Sequence, residues 1–481
     1  MGFPKFRTEK AASTSDSSDT ERAEPVDTSR LDLDVETKAL GDAVSTGNLA
    51  TEAAAGPADP DVPPDGGLEA WLQVLGSAAI LVATWGLINS FSVFQAFYET
   101  TLLKDRSPSD ISWIGSIQAA LLLFTGVVSG PLYDAGHFRL LVRVGLLMIV
   151  FGMFMTSLCT EYYQFLLAQG FCVGLGMGII FLPSAAILSQ YFLRHRALVL
   201  GLASAESPIA GIVFPVIFSN LEPRIGFGWT TRIMAFILLA LSVVPIVFMH
   251  TRLPPTQGRK RAMFDATAVR DLPYVTFAAA GFFSFLTLYV PFFYLVLWAH
   301  THHVSSPEWA PYLVTFLNAG SFFGRIVPNA LADRYGALNV MCVCMIASSA
   351  IGYAWDTLPS PAEELPKLPQ PQYAVSNLAA AIVFALLYGA FSGGVVSLTP
   401  TVLVGLSPEP SRVGARMGMG FLVTGLSLLI GTPIAGAIVR GYTEPRWQGV
   451  KAYSATGLLV STFLYILSRY FVYKRRGHWK F

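Results

Sequence analysis

The stretch "YFLRHRALVLGLASAESPIAGIVFP", residues 191–215, joins a short basic segment to a run of small and apolar residues. Such a basic segment is typical of a loop at a membrane surface, and the run after it is long enough to cross a bilayer as a helix. Glu206 interrupts the run ten residues after Arg196. At about 1.5 Å of rise per residue, its carboxylate lies roughly 15 Å deep, near the bilayer midplane. The stretch therefore predicts a membrane helix with an acid inside it.

The composition of the whole chain also indicates a membrane protein. Of its 481 residues, 53% are hydrophobic and 13% are charged, whereas soluble domains carry roughly 25% charged residues. We interpret the recurring apolar stretches as helices, because a single span must satisfy its own backbone hydrogen bonds in lipid. An all-α membrane protein embedded in a lipid bilayer is therefore predicted. Its twelve spans are 71–97, 111–132, 140–159, 163–192, 197–219, 229–250, 273–299, 309–331, 338–356, 377–403, 412–438 and 451–473.

The first 64 residues have a different composition. They carry thirteen Asp or Glu and six Lys or Arg, with few large apolar residues. Such a segment cannot bury enough surface to offset its ordering entropy, so we expect a disordered acidic tail. It has no apolar core of its own, so it is not a signal peptide. The short "LDLDVE" could dock a partner, and a solvated tail is the alternative.

Loop charges predict the orientation. With both termini in the cytoplasm, inside loops carry sixteen Lys or Arg and outside loops carry seven, as the positive-inside rule requires. We therefore expect a multi-pass cell-membrane protein with both termini cytoplasmic. The predicted parts are a tail (1–64), a first six-helix half (65–251), a basic cytoplasmic linker (252–272), a second six-helix half (273–474) and a short basic C-terminal tail (475–481).

The two halves repeat each other. The second span ends in "TGVVSGPLYDAG" (125–136) and the eighth in "GRIVPNALADRYG" (324–336), and their aspartates are 199 residues apart. Two six-helix halves indicate an alternating-access transporter with its substrate site between them. An Asp in such a turn can cap the next helix or pair with Arg, and a merely structural turn is the alternative. The candidate gating residues are Asp134, Gly136, Arg194, Arg196, Asp333, Arg334 and Gly336.

Two motifs carry a family resemblance. The segment "PDGGLEAW" (64–71) and the loop "YFLRHRALVLGLASAESPIAG" resemble the two signatures of the monocarboxylate-transporter family, in its fungal branch, within the major facilitator superfamily. The resemblance implies two pseudo-symmetric six-helix halves and assigns the first signature to Asp65, Gly66, Gly67 and Trp71. It also implies a small-molecule substrate: a monocarboxylate moved with protons, riboflavin, or a diverse organic acid or secondary metabolite.

The sequence departs from this family at the substrate site. Proton-coupled lactate carriers have a lysine where Asn89 stands, and an Asp where Ser321 precedes the retained Arg325. We therefore do not expect a lactate or pyruvate symporter. A secondary-active transporter of an organic anion or secondary metabolite is the favoured function, with proton coupling and export both left open. An importer of a small monocarboxylate or a riboflavin-like nutrient is one alternative, and a non-transporting ligand sensor on the same fold is another.

Glu206 and Arg325 are the charged residues expected deep in the membrane. In the resembling family the fifth and eighth helices face each other, so we expect the two side chains to meet during the transport cycle. The alternatives are a protonated Glu206 bonded to Ser204 or Ser207, and an Arg325 that extends to the membrane surface. Pro208 also removes the helical donor of the Ser204 carbonyl, which predicts a kink beside the acid.

Other polar residues are weaker candidates. No nucleophile–base pair, metal site, phosphate-binding loop or cofactor motif is recognised, so neither an enzyme nor an ATP-driven pump is predicted, and no nucleic-acid partner is expected. The histidines of "HTHH" (300–303) lack the usual spacing of zinc ligands. Residues near mid-span that could line the path are Asn89, Gln95, Gln118, Gln169, Gln190, Tyr289, Tyr294 and Asn318.

Overall fold

The computed structural model describes residues 64–192, 196–252, 265–302, 304, 309–356, 358, 370–407 and 412–477, without the side chains of Asp134, 196–198 and 370–377. The tail predicted to be disordered (apart from Pro64), Arg194 and most of the predicted linker lie outside these ranges. The segment Pro60–Phe481 forms one compact unit.

The described residues form twelve long helices. A continuous helical segment, Arg196–Phe248, is divided into α5 (196–225) and α6 (227–248) by Gly226, whose φ of 77° and ψ of 165° are not helical. The other ten helices are α1 (Leu68–Leu102), α2 (Pro108–Tyr133), α3 (Phe138–Thr156), α4 (Tyr162–Tyr191), α7 (Leu272–Thr301), α8 (Tyr312–Tyr335), α9 (Ala337–Ala354), α10 (Gln370–Gly405), α11 (Val413–Val439) and α12 (Glu444–Arg476).

These helices confirm the predicted twelve membrane spans. Within the described ranges, ten helical segments are long and apolar enough to cross a membrane, and one of them is the 50-residue segment that Gly226 divides. The one remaining span, α8, is 24 residues long, which gives about 36 Å at the usual helical rise. It is less apolar than the others because Asn318, Arg325 and Asp333 lie on it.

The helices run alternately between two faces of the molecule. We call the face with the start of α1 and the end of α12 the terminal face, and the opposite one the distal face. The first helix of each half is broken at corresponding points, Ser90 in α1 and Tyr289 in α7. These breaks are 199 residues apart, the same interval as between Asp134 and Asp333. The tandem repeat predicted from the sequence is therefore visible in the backbone.

Glycines let α8 and α10 pack closely. Gly320 and Gly324 lie against the backbone of α10, and Gly389 and Gly393 lie against the backbone of α8. A side chain at any of these four positions would collide with main-chain atoms of the other helix. Small residues commonly permit such close approach in membrane proteins, and the interval of four residues places each pair on one helix face.

The two halves are in contact at the distal face. The Ser109 hydroxyl of α2 donates to the Pro433 carbonyl of α11 at 2.9 Å, and the hydroxyls of Ser116 and Thr432 are hydrogen bonded to each other. We call these contacts, with that between Glu99 and Tyr442 described below, the distal closure. Toward the terminal face, Gly201 and Gly418 have open space beside them. The conformation is thus closed at the distal face.

Candidate substrate site between the two halves

Arg325 contacts the first half through a carbonyl group that a proline has freed. Pro208 lies inside α5 and has no N–H, so the carbonyl of Ser204 loses its helical donor. Nη1 of Arg325, from α8, donates a hydrogen bond to this carbonyl at 3.0 Å. The carbonyl that the sequence predicted to be free is therefore satisfied from the opposite half of the protein.

A second contact of the same kind lies two turns away. Pro215 frees the carbonyl of Gly211, and Nδ2 of Asn318 donates to that carbonyl at 3.1 Å. The same amide group donates to the Asn89 carbonyl of α1 at 3.5 Å. The two acceptors on α5 and the two donors on α8 are each seven residues apart. The antiparallel helices α5 and α8 are therefore held in register by a matched pair of hydrogen bonds.

Several polar atoms around these contacts are buried without a hydrogen-bond partner in the described protein. They include Nε of Arg325, the hydroxyl of Ser321 and both side-chain polar atoms of Asn89. Buried polar groups usually have partners, and sites that bind ligands are a common exception. Arg325 is only 4% exposed, so it does not extend to the membrane surface. Two helices, α1 and α8, thus hold buried and unsatisfied polar groups at or next to the contacts that join the halves.

Aromatic rings lie beside the polar groups. Trp85 of α1 is stacked on Tyr289 of α7, with ring centroids 6.2 Å apart, and Phe181 of α4 meets the edge of Trp85 at 5.9 Å. Tyr289 lies at the break in α7, and its ring also contacts Phe285 and Phe292 of the same helix. An apolar or aromatic molecule with a few acceptor groups would find complementary surfaces here.

Glu206 and Arg325 are not brought together in this conformation. On α5, Glu206 lies on the same face as Leu202, Ile209 and Val213, which are 44%, 39% and 43% exposed. That face points away from the carbonyl of Ser204, because residues two positions apart on a helix are about 200° apart. Their pairing therefore stays a prediction for another stage of the cycle.

The two family signatures contact each other. The backbone N–H of Asp65 donates to the Tyr191 carbonyl at 3.0 Å, and Trp71 packs edge-on against Phe192 with centroids 5.7 Å apart. Gly67 has a φ of 91°, a conformation that favours glycine. The first signature thus fixes the start of α1 to the end of α4, and Gly66 precedes this turn. The structure does not describe the Arg196 side chain.

The turns after α2 and α8 need their glycines. Gly136 and Gly336 have φ values of 88° and 94°, which other residues rarely adopt. The expected cap at Asp333 is absent: α9 follows Gly336 with no side-chain hydrogen bond at its start, and Asp333 is exposed. Arg334 lies over the ring of its neighbour Tyr335 at 5.5 Å. The two halves thus have matching turns at these glycines, and the gating role of the turns stays a prediction.

The second half has a buried ion cluster at its terminal face. Arg416 of α11, 2% exposed, donates to Asp265 at 2.9 Å and to Asp271 at 2.6 Å. The Thr267 hydroxyl donates to Asp265 at 2.6 Å, and this bond, followed by that of Arg416, lowers the pKa of Asp265 to about 2. Arg475 of α12 also donates to Asp271. The cluster fixes the segment before α7 to α11 and α12. Sequence reasoning missed it because its members are about 150 residues apart.

The remaining predicted polar residues make local contacts. Gln118 donates to the Met177 sulfur at 3.6 Å, Gln169 accepts from the Tyr98 hydroxyl at 2.7 Å, and Tyr294 donates to the Thr432 carbonyl at 3.1 Å. Gln190 donates to the Tyr133 hydroxyl. These bonds pack neighbouring helices. In the histidine segment, His302 is hydrogen bonded to Glu444 at 2.8 Å.

Comparison with known proteins gives one consistent family. The family model described as Major Facilitator Superfamily matches residues 80–363. The chain is 40% identical to the MFS-type transporter dbaD of Emericella nidulans, over 83% of this chain and 86% of that protein. It is 36% identical to the aspyridones efflux protein apdF of the same organism, over 79% of this chain and 74% of that protein.

A further relative and a solved structure agree with this result. The MFS transporter asaE of Aspergillus flavus is 36% identical, over 88% of this chain and 92% of that protein. The crystal structure of the nucleoside transporter NupG superposes with a TM-score of 0.61 at 13% identity, covering 84% of this chain and 99% of that one. At that identity the likeness shows the shared fold alone. The chain belongs to the major facilitator superfamily and is a multi-pass membrane transporter, not an enzyme.

Proposed function

We propose that this protein is a secondary-active exporter of an organic acid or secondary metabolite. The observation that carries the proposal is Arg325, a buried cation whose Nη1 contacts the opposite half while its Nε has no partner in the described protein. A guanidinium group in such a position can bind an acceptor-bearing substrate and contact both halves at once. The aromatic rings of Trp85 and Tyr289 add surface for an apolar or aromatic body.

The relatives support export as the direction of transport. One of them is named as an efflux protein for aspyridones, and its sequence is 36% identical to this chain. The absence of the family's lysine at Asn89 and of its aspartate at Ser321 argues against a small-monocarboxylate symporter. A substrate that is larger or less acidic than lactate would fit this set of residues.

The excess of Lys and Arg in its loops supports a cytoplasmic terminal face. With that orientation, the distal closure seals the outer side, and an exporter in this conformation would take up its substrate from the cytoplasm. The turns at Gly136 and Gly336, with Asp134, Asp333 and Arg334, would then lie at the cytoplasmic gate.

Glu206 is proposed as a residue that couples transport to protons. Since it lies away from Arg325 here, pairing would require α5 to turn about its own axis during the cycle. A carboxylate on a partly exposed face of a membrane helix is costly when ionised. Reversible protonation would reduce that cost at one stage of transport.

The experiment compares metabolites inside and outside cells that contain or lack the protein. Export predicts that at least one organic acid or secondary metabolite is lower inside the cells and higher in the medium when the protein is present. Arg325→Gln should abolish this difference, whereas Arg446→Gln, which changes an exposed arginine at the distal face, should preserve it. Equal profiles with and without the protein would contradict the proposal.

A further inference from the structure

A second buried acid lies at the distal closure. Glu99, in the last turns of α1, is 8% exposed. One carboxylate oxygen accepts a hydrogen bond from Nε2 of Gln95 at 2.8 Å, and the other accepts from the hydroxyl of Tyr442 at 2.8 Å. Within the described ranges, no Lys, Arg or His forms an ion pair with it. Gln95 and Glu99 are in the first half and Tyr442 is in the second, so this contact joins the two halves.

The second half presents Tyr442 through a strained turn. The φ values of Gly441 and Tyr442 are 92° and 54°, and a tyrosine rarely adopts the second value. Such conformations persist where the surrounding structure holds them, commonly at functional sites. Burial raises the pKa of the Tyr442 hydroxyl, and the neighbouring Glu99 raises it further. The hydroxyl therefore keeps its proton and remains a donor to Glu99.

Other ionisable groups near this point are neutral or engaged elsewhere. Tyr294 of α7 faces the acid and donates to the Thr432 carbonyl. Tyr98, next to the acid on α1, donates to Gln169 of α4 at 2.7 Å. At the start of α2, Arg106 lies over the Tyr162 ring of α4 at 5.6 Å, and Asp110 is bonded to Ser107. Among the described residues, a negative charge on Glu99 is thus stabilised by two neutral donors alone.

The surroundings of Glu99 suit the protonated acid better than the ion. Burying a carboxylate without a cation is costly, and such groups usually become neutral instead. Oε1 of Gln95 is buried with no donor in the described protein. If the Gln95 amide turns over, this oxygen can accept the proton of a neutral Glu99. When the halves separate at the distal face, the acid loses Tyr442 and meets water, which stabilises the ion.

We propose that Glu99 is a proton-binding site whose protonation holds the distal closure shut. The proton comes from the solution at the distal face, and its release favours opening of that face. The inference rests on the alternating access assumed in the proposed function, but it is independent of the substrate and of the direction of transport. It adds a site of proton control that is separate from Arg325 and Glu206.

The test measures opening of the distal face directly, without substrate. Spin labels are attached to cysteines at the exposed positions Lys104 and Arg446, in a variant whose four native cysteines are replaced by alanine. Electron–electron resonance distances are recorded in lipid nanodiscs from about pH 5 to 8. We expect the ratio of closed to open molecules to rise about tenfold on acidification. Burial commonly shifts the midpoint of carboxyl protonation by about one pH unit or more, and one unit corresponds to a factor of about ten.

Three variants test whether Glu99 is responsible for the pH dependence of this ratio. Glu99→Gln, which imitates the neutral acid, should remain mostly closed at every pH, with less than about twofold change in the ratio. Tyr442→Phe should be more open than the wild type at high pH, because the ionised acid loses a donor, and should differ less at low pH. Glu444→Gln removes another acid at the distal face, one that pairs with His302, and should keep the wild-type response.

A wild-type pH response in Glu99→Gln, or an unchanged ratio in the wild type across the range, would overturn the proposal. Failure of the proposed function would look different. In that case no metabolite would be exported, while the pH dependence of the distances and its loss in Glu99→Gln would remain.

Discussion

The hydrogen bond between Arg325 and the carbonyl freed by Pro208 makes a quantitative prediction about folding stability. The perturbation is a double-mutant cycle with Pro208→Ala and Arg325→Met. When residue 208 is proline, Arg325→Met leaves the Ser204 carbonyl buried with no strong donor, since the Ser207 hydroxyl is 3.5 Å away. With alanine at 208, the backbone N–H of that residue can donate to the same carbonyl. Arg325→Met should then lower the free energy of unfolding by less than it does when residue 208 is proline.

The expected coupling free energy follows from the contribution of the single hydrogen bond between Arg325 and the Ser204 carbonyl. A hydrogen bond to a charged group contributes about 1.5–3 kcal/mol in soluble proteins, whereas interhelical bonds in membranes average about 0.6 kcal/mol with a maximum near 1.7. We expect a coupling free energy of about 1–1.5 kcal/mol in unfolding of the purified protein in mixed detergent micelles. The cost of burying the guanidinium group is common to both arms of the cycle and cancels.

Two further cycles serve as controls. Pro215→Ala with Asn318→Leu should give a smaller coupling of the same sign, because the Asn318 donor is neutral. The effects of Pro245→Ala and Arg325→Met on the free energy of unfolding should be additive, because Pro245 lies in α6, away from the bond. Pro245→Ala changes helix propensity in the same way as Pro208→Ala, so it is a matched control. Zero coupling between Pro208→Ala and Arg325→Met would refute the account of how α5 and α8 are joined.

Three other predictions concern coupling, stability and topology. Glu206→Gln should slow transport and flatten its pH dependence between about pH 5 and 8, measured as flux in proteoliposomes; wild-type rate and profile would identify Glu206 as a tolerated residue. Asp265→Asn should lower the thermal stability at neutral pH. Because the folded-state pKa of Asp265 is lowered to about 2, its stabilisation is present above its ordinary pKa and is lost as the pH falls toward 2, so the difference between variant and wild type should shrink on acidification; a constant difference would contradict this. Single cysteines at Gly258 and Ser360 should react with impermeant reagents from the inside and outside respectively, and reaction of both from one side would exclude the twelve-span topology.

The sequence was sufficient for the helices and their order, because membrane spans are recognised by length and apolar composition. The bounds were less certain. Glu99 lies beyond the predicted end of the first span at residue 97, yet α1 continues to Leu102. The acid therefore looked like part of a loop. A span that continues through polar residues cannot be recognised from hydropathy, because their burial depends on partners such as Tyr442 from the other half.

The candidate site was predictable in part. Pro208 indicated a free carbonyl at Ser204, and Arg325 was recognised as a deep cation, but nothing in the sequence connects the two. The depth of Glu206 in the membrane could be predicted from the helical rise. The face of α5 on which it lies could not, because that depends on how α5 packs against its neighbours. The same holds for Asp265 and Arg416, whose contact depends on how the end of the linker returns to the bundle.

The central claim, export through a site that contains Arg325, is tested most directly by flux in proteoliposomes. The probe is the compound that the comparison of cells and medium identifies. The account predicts transport by the wild type and by Arg446→Gln, and a loss of at least about tenfold in Arg325→Gln, which corresponds to about 1.4 kcal/mol. Binding without flux in the wild type would indicate a ligand sensor, and wild-type flux in Arg325→Gln would contradict the proposed substrate site.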